Sequence, residues 1–367
     1  MTNFSAKSLV SPGAVRLFLA SIVVVHHSLP LRAGSWAVDV FFILSGYWIT
    51  RMWTARYCRT KASYFTFLVS RWWRLLPVFL ICTGLGVGSA FLLREAGGPA
   101  NPSSPVWWFR QAMIIGSSDA GRVLPPTWSL DVEMQFYLVA PILIWIFSRV
   151  STLWRWMLIA ALIVTLAGLL AIGTYPESAR FGLFSGFFLV GVGLALREWM
   201  PGKKLVVGGL ALFLGGTLAL LTLPHARDGI WIEGRLAQLV TDRLATLIAS
   251  TWWVIGGILV IPFVARSLAI RSSAFDRLLG DLAYPLYLFH WIPREWYYHL
   301  CDTNPAPAVR LGLLVADFIV AIAGAVLILI LIDRPMDRLR RAWVESRETG
   351  VEQMESGKVR IGLGDAS

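Results

Sequence analysis

Charged residues are scarce in this chain of 367 residues. Asp, Glu, Lys and Arg together make up 15% of the sequence, whereas ordinary soluble domains contain roughly a quarter. Hydrophobic residues make up 56%. This composition excludes a typical soluble domain and predicts a membrane protein.

Cysteine is scarce as well. The three cysteines are Cys58, Cys82 and Cys301, and no two of them have the CxxC spacing of a redox or zinc site. The sequence therefore indicates neither a disulfide framework nor a metal site, and we expect no bound metal.

Apolar runs recur along the whole chain. A helix needs about 20 apolar residues to cross a bilayer. The runs are continuous and do not alternate as barrel strands do, so we predict an all-α, polytopic transmembrane bundle of about ten spanning helices. The candidate spans are centred on 14–30, 36–53, 75–93, 128–147, 154–174, 181–197, 204–223, 245–264, 281–300 and 311–332.

The net charge of +11 is explained by topology rather than by nucleic acid. If the chain starts in the cytoplasm, 23 of the 33 Lys and Arg residues lie on the inner side and 10 on the outer side. This asymmetry follows the positive-inside rule and predicts that both termini are cytoplasmic.

The same topology divides the chain into two parts. We predict a transmembrane domain at 1–333 and a charged cytoplasmic tail at 334–367, whose charges are most simply solvated and lipid-facing. The longest loops, 94–127 and 224–243, are predicted to lie on the outer side of the membrane. Both are polar and aromatic enough to touch a carbohydrate, although loops of this kind are more often plain connectors.

The first apolar run carries an ionisable residue at each end. Arg16 and His27 are eleven residues apart, so on a helix they share a face and lie about 16 Å apart along the axis. His26 points about 80° away from Arg16. Ionisable residues within spans are functional candidates by default, although a histidine at this position also suits a helix contact or the membrane interface.

A carboxylate is predicted beside this histidine. Asp39 lies near the start of the second span, so it should meet His27 at a similar depth in two antiparallel helices. A carboxylate next to an imidazole fixes its tautomer and raises its basicity, as a general base requires.

The fourth span begins with the acidic stretch WSLDVEMQFY. Asp131 and Glu133 are about 200° apart on a helix, so at most one of them can face a given cavity squarely. Glu133 is the deeper of the two. Asp131 is more plausibly a first-turn residue that the helix dipole favours, and the stretch also suits an ordinary helix start.

Basic residues gather on the predicted inner side. Arg71 and Arg74 lie one helical turn apart before the third span, and the positive-inside rule alone explains such a pair. Together with their basic neighbours they suit the bidentate binding of phosphates. These neighbours are Arg51, Arg56, Arg59 and Lys61.

Five motifs in order resemble acyltransferase family 3 across nearly the whole chain. They are Arg16 with ten residues before His27, VDVFFILSGY, RWWRLLP, WSLDVEMQFY and LAYPLYLFHW. The resemblance implies a bacterial inner-membrane enzyme. Such an enzyme moves a short acyl group, commonly acetyl, from cytoplasmic acyl-coenzyme A to a hydroxyl of an extracytoplasmic polysaccharide or lipid-linked sugar.

The resemblance also implies roles for particular residues. Arg16 and His27 are implied as the catalytic pair, Arg71 and Arg74 as the donor-side motif, and Glu133 as part of the fourth-span motif. The chain departs from the common family pattern at three positions, which are Ala37, Met134 and Asp333. Met134 stands where a second glutamate is frequent, which weakens any scheme that needs two adjacent carboxylates.

These observations give a two-sided hypothesis. Acetyl-coenzyme A or another short acyl-coenzyme A places its phosphates at Arg71 and Arg74, and its thioester reaches His27. His27 then acts as general base, which is worth about 10² to 10⁴ in rate. Arg16 holds the donor or closes a charge network with the catalytic carboxylates. Residues predicted to line the substrate channel are Ser45, Trp128, Asp131 and His290.

Two alternatives stay open at this stage. An acyl-enzyme through His27 or Ser45 is one alternative to direct transfer. A transporter or flippase of a lipid-linked sugar is the other, because ionisable residues within spans also serve proton-coupled carriers. The sequence shows no repeated halves, which are the usual sign of a carrier.

Overall fold

The structure is a computed structural model that is almost entirely helical. It describes residues 11–29, 34–93, 104–116, 123–172, 180–197, 199–223, 227, 243–303 and 305–348. These residues contain no β-strand beyond an isolated bridge between Thr60 and Glu348. The predicted all-α fold is therefore confirmed.

The described α-helices are numbered in chain order. They are α1 (Pro12–Ser28), α2 (Gly34–Ala55), α3 (Ser63–Leu92), α4 (Pro105–Met113), α5 (Trp128–Arg149), α6 (Thr152–Ile172), α7 (Arg180–Arg197), α8 (Lys203–Leu221), α9 (Arg243–Leu259), α10 (Ile261–Leu268), α11 (Ala274–Phe289), α12 (Trp291–Cys301), α13 (Pro307–Ile328) and α14 (Arg334–Glu345).

Among the described residues, seven helical segments are long and apolar enough to cross a membrane, so the predicted count of about ten spans is not confirmed. The segments are Ser63–Leu92, Pro125–Arg149, Thr152–Leu169, Arg180–Arg197, Lys203–Leu221, Leu247–Leu268 and Pro307–Glu345. The other three predicted spans correspond to α1, α2 and the pair α11–α12. The 17 residues of α1 are apolar but short, and the predicted span at 281–300 is divided at His290.

Helix α2 occupies the centre of the bundle. It packs against α1, α5, α7 and α9, so it faces protein more than lipid and tolerates polar residues. Glycine allows the backbones of α2 and α7 to touch. A Cβ atom at Gly46 would lie 2.0 Å from the carbonyl oxygen of Phe188, and one at Gly191 would lie 2.0 Å from that of Ile43. Small residues at helix contacts are the usual solution in membranes.

The first turn of α1 is fixed to the start of α11. The Ser11 hydroxyl and the Ala14 amide both donate to Asp276 Oδ1, at 2.5 and 2.9 Å. The two helices approach closely at their glycines, and a Cβ atom at Gly280 would lie only 3.1 Å from the Cα of Gly13. This contact sets where the rest of α1 lies in the bundle.

The predicted outer loop 94–127 turns back into the bundle. The Trp72 indole donates to the Ala112 carbonyl at the end of α4, at 2.9 Å. Trp72 lies twenty residues before the end of α3, which is about 30 Å along the helix. The Gly116 amide donates to Asp131 at 3.0 Å. Residues 105–116 therefore lie beside α3 and α5 and do not form a simple outer connector. Most of the other predicted outer loop, 224–243, falls outside the described residues.

The first part of the predicted tail is helical and packs on α3. Helix α13 continues through a π-helical turn, Leu329–Asp333, directly into α14. Arg340 on α14 is only 8% exposed. The expectation that the tail charges are solvated is therefore wrong for Arg340, because this helix contacts α3 with its polar face.

The native cysteines provide a test of the topology that the charge split predicts. Cys58, which is exposed, follows α2 and should be cytoplasmic, whereas Cys301 ends α12 and should face outside. A membrane-impermeant maleimide added to intact spheroplasts should label Cys301 and should reach Cys58 only after permeabilisation. The Cys58→Ser and Cys301→Ser variants assign each signal, and the reverse pattern would refute the orientation.

Candidate active site

A cavity of about 500 Å³ is enclosed by α1, α2, α3, α5, α11 and α14. Half of the predicted site residues line it, and these are Arg16, Ser45, Arg71, Arg74 and Glu133. The others lie outside it, and these are His27, Asp39, Trp128, Asp131 and His290. The structure thus divides the predicted site into a charged cavity and a separate group around the histidines.

Glu133 is the centre of a polar group on the cavity wall. The Ser45 hydroxyl donates to Glu133 Oε1 at 2.7 Å, and the Tyr137 hydroxyl donates to the same oxygen. Asp131 lies on the other side of α5, where its Oδ1 accepts from Gln135 at 2.9 Å and from the Gly116 amide. Of the two acidic residues only Glu133 faces the cavity, as their spacing on the helix requires.

Arg16 enters the cavity from α1. Its guanidinium stands over the ring of Trp48, 5.4 Å from the centroid, and packs against α11 beside Gly280. Across the described ranges no carboxylate forms an ion pair with Arg16. Its charge is therefore available to an anion that enters the cavity.

Arg71 and Arg74 have different surroundings although they lie one turn apart. Arg74 forms an ion pair with Asp333, which is 5% exposed, and stands over the ring of Tyr284. Arg71 instead donates to the Tyr57 hydroxyl at 2.9 Å. The charge of Arg74 is compensated within the protein, so the two residues are not equivalent phosphate-binding groups.

His27 lies in the last turn of α1, in a group of aromatic rings. Its ring centroid is 4.6 Å from that of His26, 5.4 Å from that of His290 and 5.1 Å from that of Trp291. The His27 and His290 rings are nearly parallel, with 19° between their planes. The structure therefore brings together two of the predicted residues, His27 and His290.

His290 is fully buried and has one ring nitrogen without a hydrogen-bond partner. Its Nδ1 lies 3.2 Å from the carbonyl oxygen of Leu286. Because a carbonyl only accepts, this contact assigns the proton of the neutral ring to Nδ1 and leaves a lone pair on Nε2. Nε2 is buried and has no partner. A proton acceptor thus lies in the ring group that contains His27.

One aromatic layer separates the cavity from the histidines. Phe41 and Tyr287 line the cavity, and their ring centroids are 6.0 Å apart. The Tyr287 ring is in turn 6.4 Å from the His290 ring. The Tyr287 hydroxyl is fixed by Ser129 at 2.8 Å and by the Pro126 carbonyl at 3.0 Å. A molecule in the cavity must pass this layer to reach His27.

Sequence reasoning missed Arg294, which fixes the end of α1. Arg294 Nε and the Tyr298 hydroxyl both donate to the carbonyl oxygen of His27, the latter at 3.1 Å. The Arg294 guanidinium lies 4.5 Å from the ring centroid of Trp291 and 4.3 Å from that of Tyr298. The last carbonyls of a helix have no partner within the helix and need a donor from elsewhere. The sequence feature that could have indicated this donor is an arginine one turn after His290.

The predicted pairing of Asp39 with His27 is wrong. Asp39 is 3% exposed and packs beside Gly257 of α9, where its Oδ2 would lie 3.5 Å from a Cβ atom. In the parts of the chain that the structure describes, no hydrogen bond joins Asp39 to His27. Matching depth in antiparallel helices does not fix the direction in which a side chain points, and Asp39 points away from α1.

Two further predicted positions have structural surroundings. His26 packs on the start of α2, where a Cβ atom at Gly34 would lie 2.5 Å from the imidazole Cδ2. Trp128 begins α5, and its ring lies 5.1 Å from that of Phe184 and under the guanidinium of Arg180. Trp128 therefore contributes to the packing of α5 on α7 rather than to the cavity.

Similarity to known proteins identifies the family of the chain. Residues 10–343 match the family described as an acyltransferase domain. The chain belongs to the acyltransferase 3 family. The match includes the cavity and the three histidines of the ring group, which are His26, His27 and His290.

Several curated proteins are similar to the chain. It is 27% identical to O-acetyltransferase OatA of Staphylococcus aureus, over 78% of this chain and 51% of that protein. It is 25% identical to peptidoglycan O-acetyltransferase OatA of Listeria monocytogenes, over 79% and 50%. The exopolysaccharide production protein ExoZ of Rhizobium meliloti is 29% identical, over 75% of this chain and 80% of ExoZ. The chain thus spans about half the length of the OatA proteins. No solved structure matches.

The buried pair of Arg74 and Asp333 should contribute mainly to stability. Removing one partner of a buried ion pair leaves an uncompensated charge, so Arg74→Gln and Asp333→Asn should each reduce the free energy of unfolding by about 3 kcal/mol. The double variant should lose less than the sum of the two. Denaturation in detergent micelles measures both effects, and Arg334→Gln, at an exposed neighbouring position, is the control. Additive losses would contradict the pairing.

Proposed function

We propose that this protein transfers a short acyl group, acetyl in the first instance, from cytoplasmic acyl-coenzyme A to a hydroxyl of an extracytoplasmic glycan. The observation that carries the proposal is the arrangement of a cavity rich in arginine, one aromatic layer and a histidine group in which His27 is half-buried and His290 is fully buried. The charged end suits the phosphates of the donor, and the histidine end suits a proton transfer.

The donor side is supported by charge. Arg16, Arg71 and Arg74 line one cavity with Glu133, and guanidinium groups are well suited to phosphates. Because Arg74 is paired with Asp333, the charge left for a ligand comes chiefly from Arg16 and Arg71. The acyl-pantetheine arm then extends along the cavity towards Tyr287.

The histidine side supplies the proton chemistry. His27 removes the proton from the acceptor hydroxyl as its oxygen attacks the thioester carbonyl. The carbon–sulfur bond breaks, and the departing thiolate takes the proton from the imidazolium of His27. An ester and free coenzyme A result. The stacked ring of His290 shields His27 from one side and presents a neighbouring proton acceptor.

The acceptor class is inferred from the relatives. The OatA proteins are named for O-acetyl transfer, one of them to peptidoglycan, and ExoZ is named for exopolysaccharide production. These names favour a polysaccharide or a lipid-linked sugar in the periplasm, and with it a location in a bacterial inner membrane.

The function is tested with purified protein in lipid nanodiscs. Protein supplied with acyl-labelled acetyl-coenzyme A and glycan fragments should release coenzyme A and form labelled ester. Mass spectrometry of surface glycans from cells with and without the protein should show a loss of acyl mass in its absence. Glycan export that fails without any change in acylation would instead support a transporter or flippase.

His27 should be essential to transfer, whereas His26 should not be. His27→Gln keeps a polar side chain but cannot carry a proton at neutral pH, so transfer should fall by at least about 10². His26→Ala should retain most activity because His26 packs on Gly34. Equal losses in two stably inserted variants would show that the face of α1 does not select the base.

Arg294 should act by positioning His27. Arg294→Ala frees the carbonyl of His27, and a displacement of about 1 Å can cost about 10² in rate. We expect kcat to fall while KM for the acyl donor is unchanged, and Arg294→Lys to restore part of the rate. Arg310→Ala, at an exposed position of α13, is the control. A rise in KM with unchanged kcat would argue against the positioning role.

A further inference from the structure

A cluster of arginines lies at the inner end of the cavity and includes residues of α14. We call it the arginine cluster, and its members are Arg71, Arg340 and Arg341, all of which line the cavity. Arg71 and Arg340 converge on two hydroxyl groups. Arg340 Nη1 donates to Ser70 at 2.8 Å, and the Ser70 and Tyr57 hydroxyls are 2.7 Å apart.

The arginine cluster has more positive than negative charge. Arg340 and Arg341 share the carboxylate of Asp337, with nitrogen–oxygen distances of 2.6 Å for each. Among the described residues Arg71 forms no ion pair with a carboxylate, and it donates to the phenol of Tyr57. Its Nε is buried and has no hydrogen-bond partner there. The arginine cluster thus has three guanidinium groups beside the single carboxylate of Asp337, which pairs with Arg340 and Arg341, and Arg71 keeps an unused donor.

The state of Tyr57 reflects this excess of positive charge. Tyr57 lies in the connection between α2 and α3, outside the spans, and is 2% exposed. Burial acts to raise its pKa, but the nearby Arg71, the hydrogen bond with Ser70 and the nearby Arg340 together hold the pKa below its ordinary value. A site that favours a phenolate also favours other anions.

A buried guanidinium with an unused donor is costly, and a phosphate is the ligand that satisfies it. A bare Arg71 Nε loses the hydrogen bond that water would provide. Phosphate oxygens accept paired donors from arginine with better geometry than from lysine. Arg74 has the carboxylate of Asp333 to itself, whereas Arg340 shares that of Asp337 with Arg341. Arg340 is therefore the less fully compensated arginine beside Arg71.

We propose that Arg340, together with Arg71, binds a phosphate group of the nucleotide donor, and that Arg74 does not take this role. The identity of the ligand rests on the proposed function, whereas the anion site rests on the geometry of the arginine cluster. Helix α14 is on this account part of the donor site rather than a solvated tail.

The proposal is tested by calorimetry on the detergent-solubilised full chain. The probes are coenzyme A, dephospho-coenzyme A, which lacks the 3′-phosphate, pantetheine, which lacks all phosphates, and inorganic pyrophosphate. The variants are Arg340→Gln and Arg340→Lys. Arg338→Gln is the matched control, because Arg338 is an exposed arginine on the same helix that does not line the cavity.

Arg340→Gln should weaken coenzyme A binding by about tenfold to a hundredfold, as expected for hydrogen bonds to a charged group. Arg338→Gln should bind as the parent does, and pantetheine binding should not change. If Arg340→Gln weakens the binding of dephospho-coenzyme A as much as that of coenzyme A, Arg340 contacts the diphosphate. If the binding of dephospho-coenzyme A does not change, Arg340 contacts the 3′-phosphate. Arg340→Lys keeps the charge, so it should fold even if Arg340→Gln does not, and it should show a smaller loss.

Three results would overturn the proposal. The first is unchanged coenzyme A affinity in Arg340→Gln, or in Arg340→Lys if the glutamine variant does not fold. The second is a loss of coenzyme A affinity in Arg338→Gln as large as that in Arg340→Gln. The third is a loss of pantetheine affinity in Arg340→Gln as large as the loss of coenzyme A affinity. Failure of the parent to bind any form of coenzyme A would instead refute the proposed function. In that case pyrophosphate tests the anion site separately. Pyrophosphate binding that is weakened in Arg340→Gln supports the anion site, and failure of the parent to bind pyrophosphate refutes it.

Discussion

An ionised side chain cannot face lipid hydrocarbon, and this constraint organises the whole bundle. Charges within spans must contact protein or a wet cavity. Arg16, Arg71, Arg74 and Glu133 come from three different helices and all line the same cavity. Asp333, at the end of the π-helical turn that follows α13, pairs with Arg74. These charged side chains must all face the same polar cavity, and this requirement holds the helices in register around it.

The chemistry is divided between two places because the two groups need different surroundings. The arginines require hydrogen-bond acceptors and counter-ions, and they line the cavity, where Arg74 pairs with Asp333 and Arg340 with Asp337. The two stacked histidines lie beyond the layer of Phe41 and Tyr287, where His290 is fully buried. The buried ring of His290 covers one side of the half-buried His27 and limits its contact with water, which is useful when the competing reaction of a thioester is hydrolysis. On the proposed function, the aromatic layer is the boundary between donor binding and acyl transfer.

The helical class agrees with what the sequence indicated. Spacing along one helix separates Asp131 from Glu133 because the turn angle is fixed. Relations between helices were less accessible. Asp39 has the predicted depth but points to α9, and Arg294 and Arg340 join the site from elements far along the chain. Hydropathy also misread residues 105–116 as an outer connector, since buried backbone contacts with Trp72 and Asp131 are invisible in composition.

The long helix from Pro307 to Glu345 relates the two ends of the site. In the first third of this helix, Asp317 accepts from the Ser28 hydroxyl at 2.8 Å, next to His27 at the end of α1. Sixteen residues later, about 24 Å along a helix, Asp333 holds Arg74, and α14 then carries Arg340 to the arginine cluster. The same helix therefore fixes both the end of α1 and the anion site. A donor whose phosphates bind at Arg340 must reach His27 with its thioester. The length of this helix sets that distance, and the distance in turn sets how long the pantetheine arm of the donor must be.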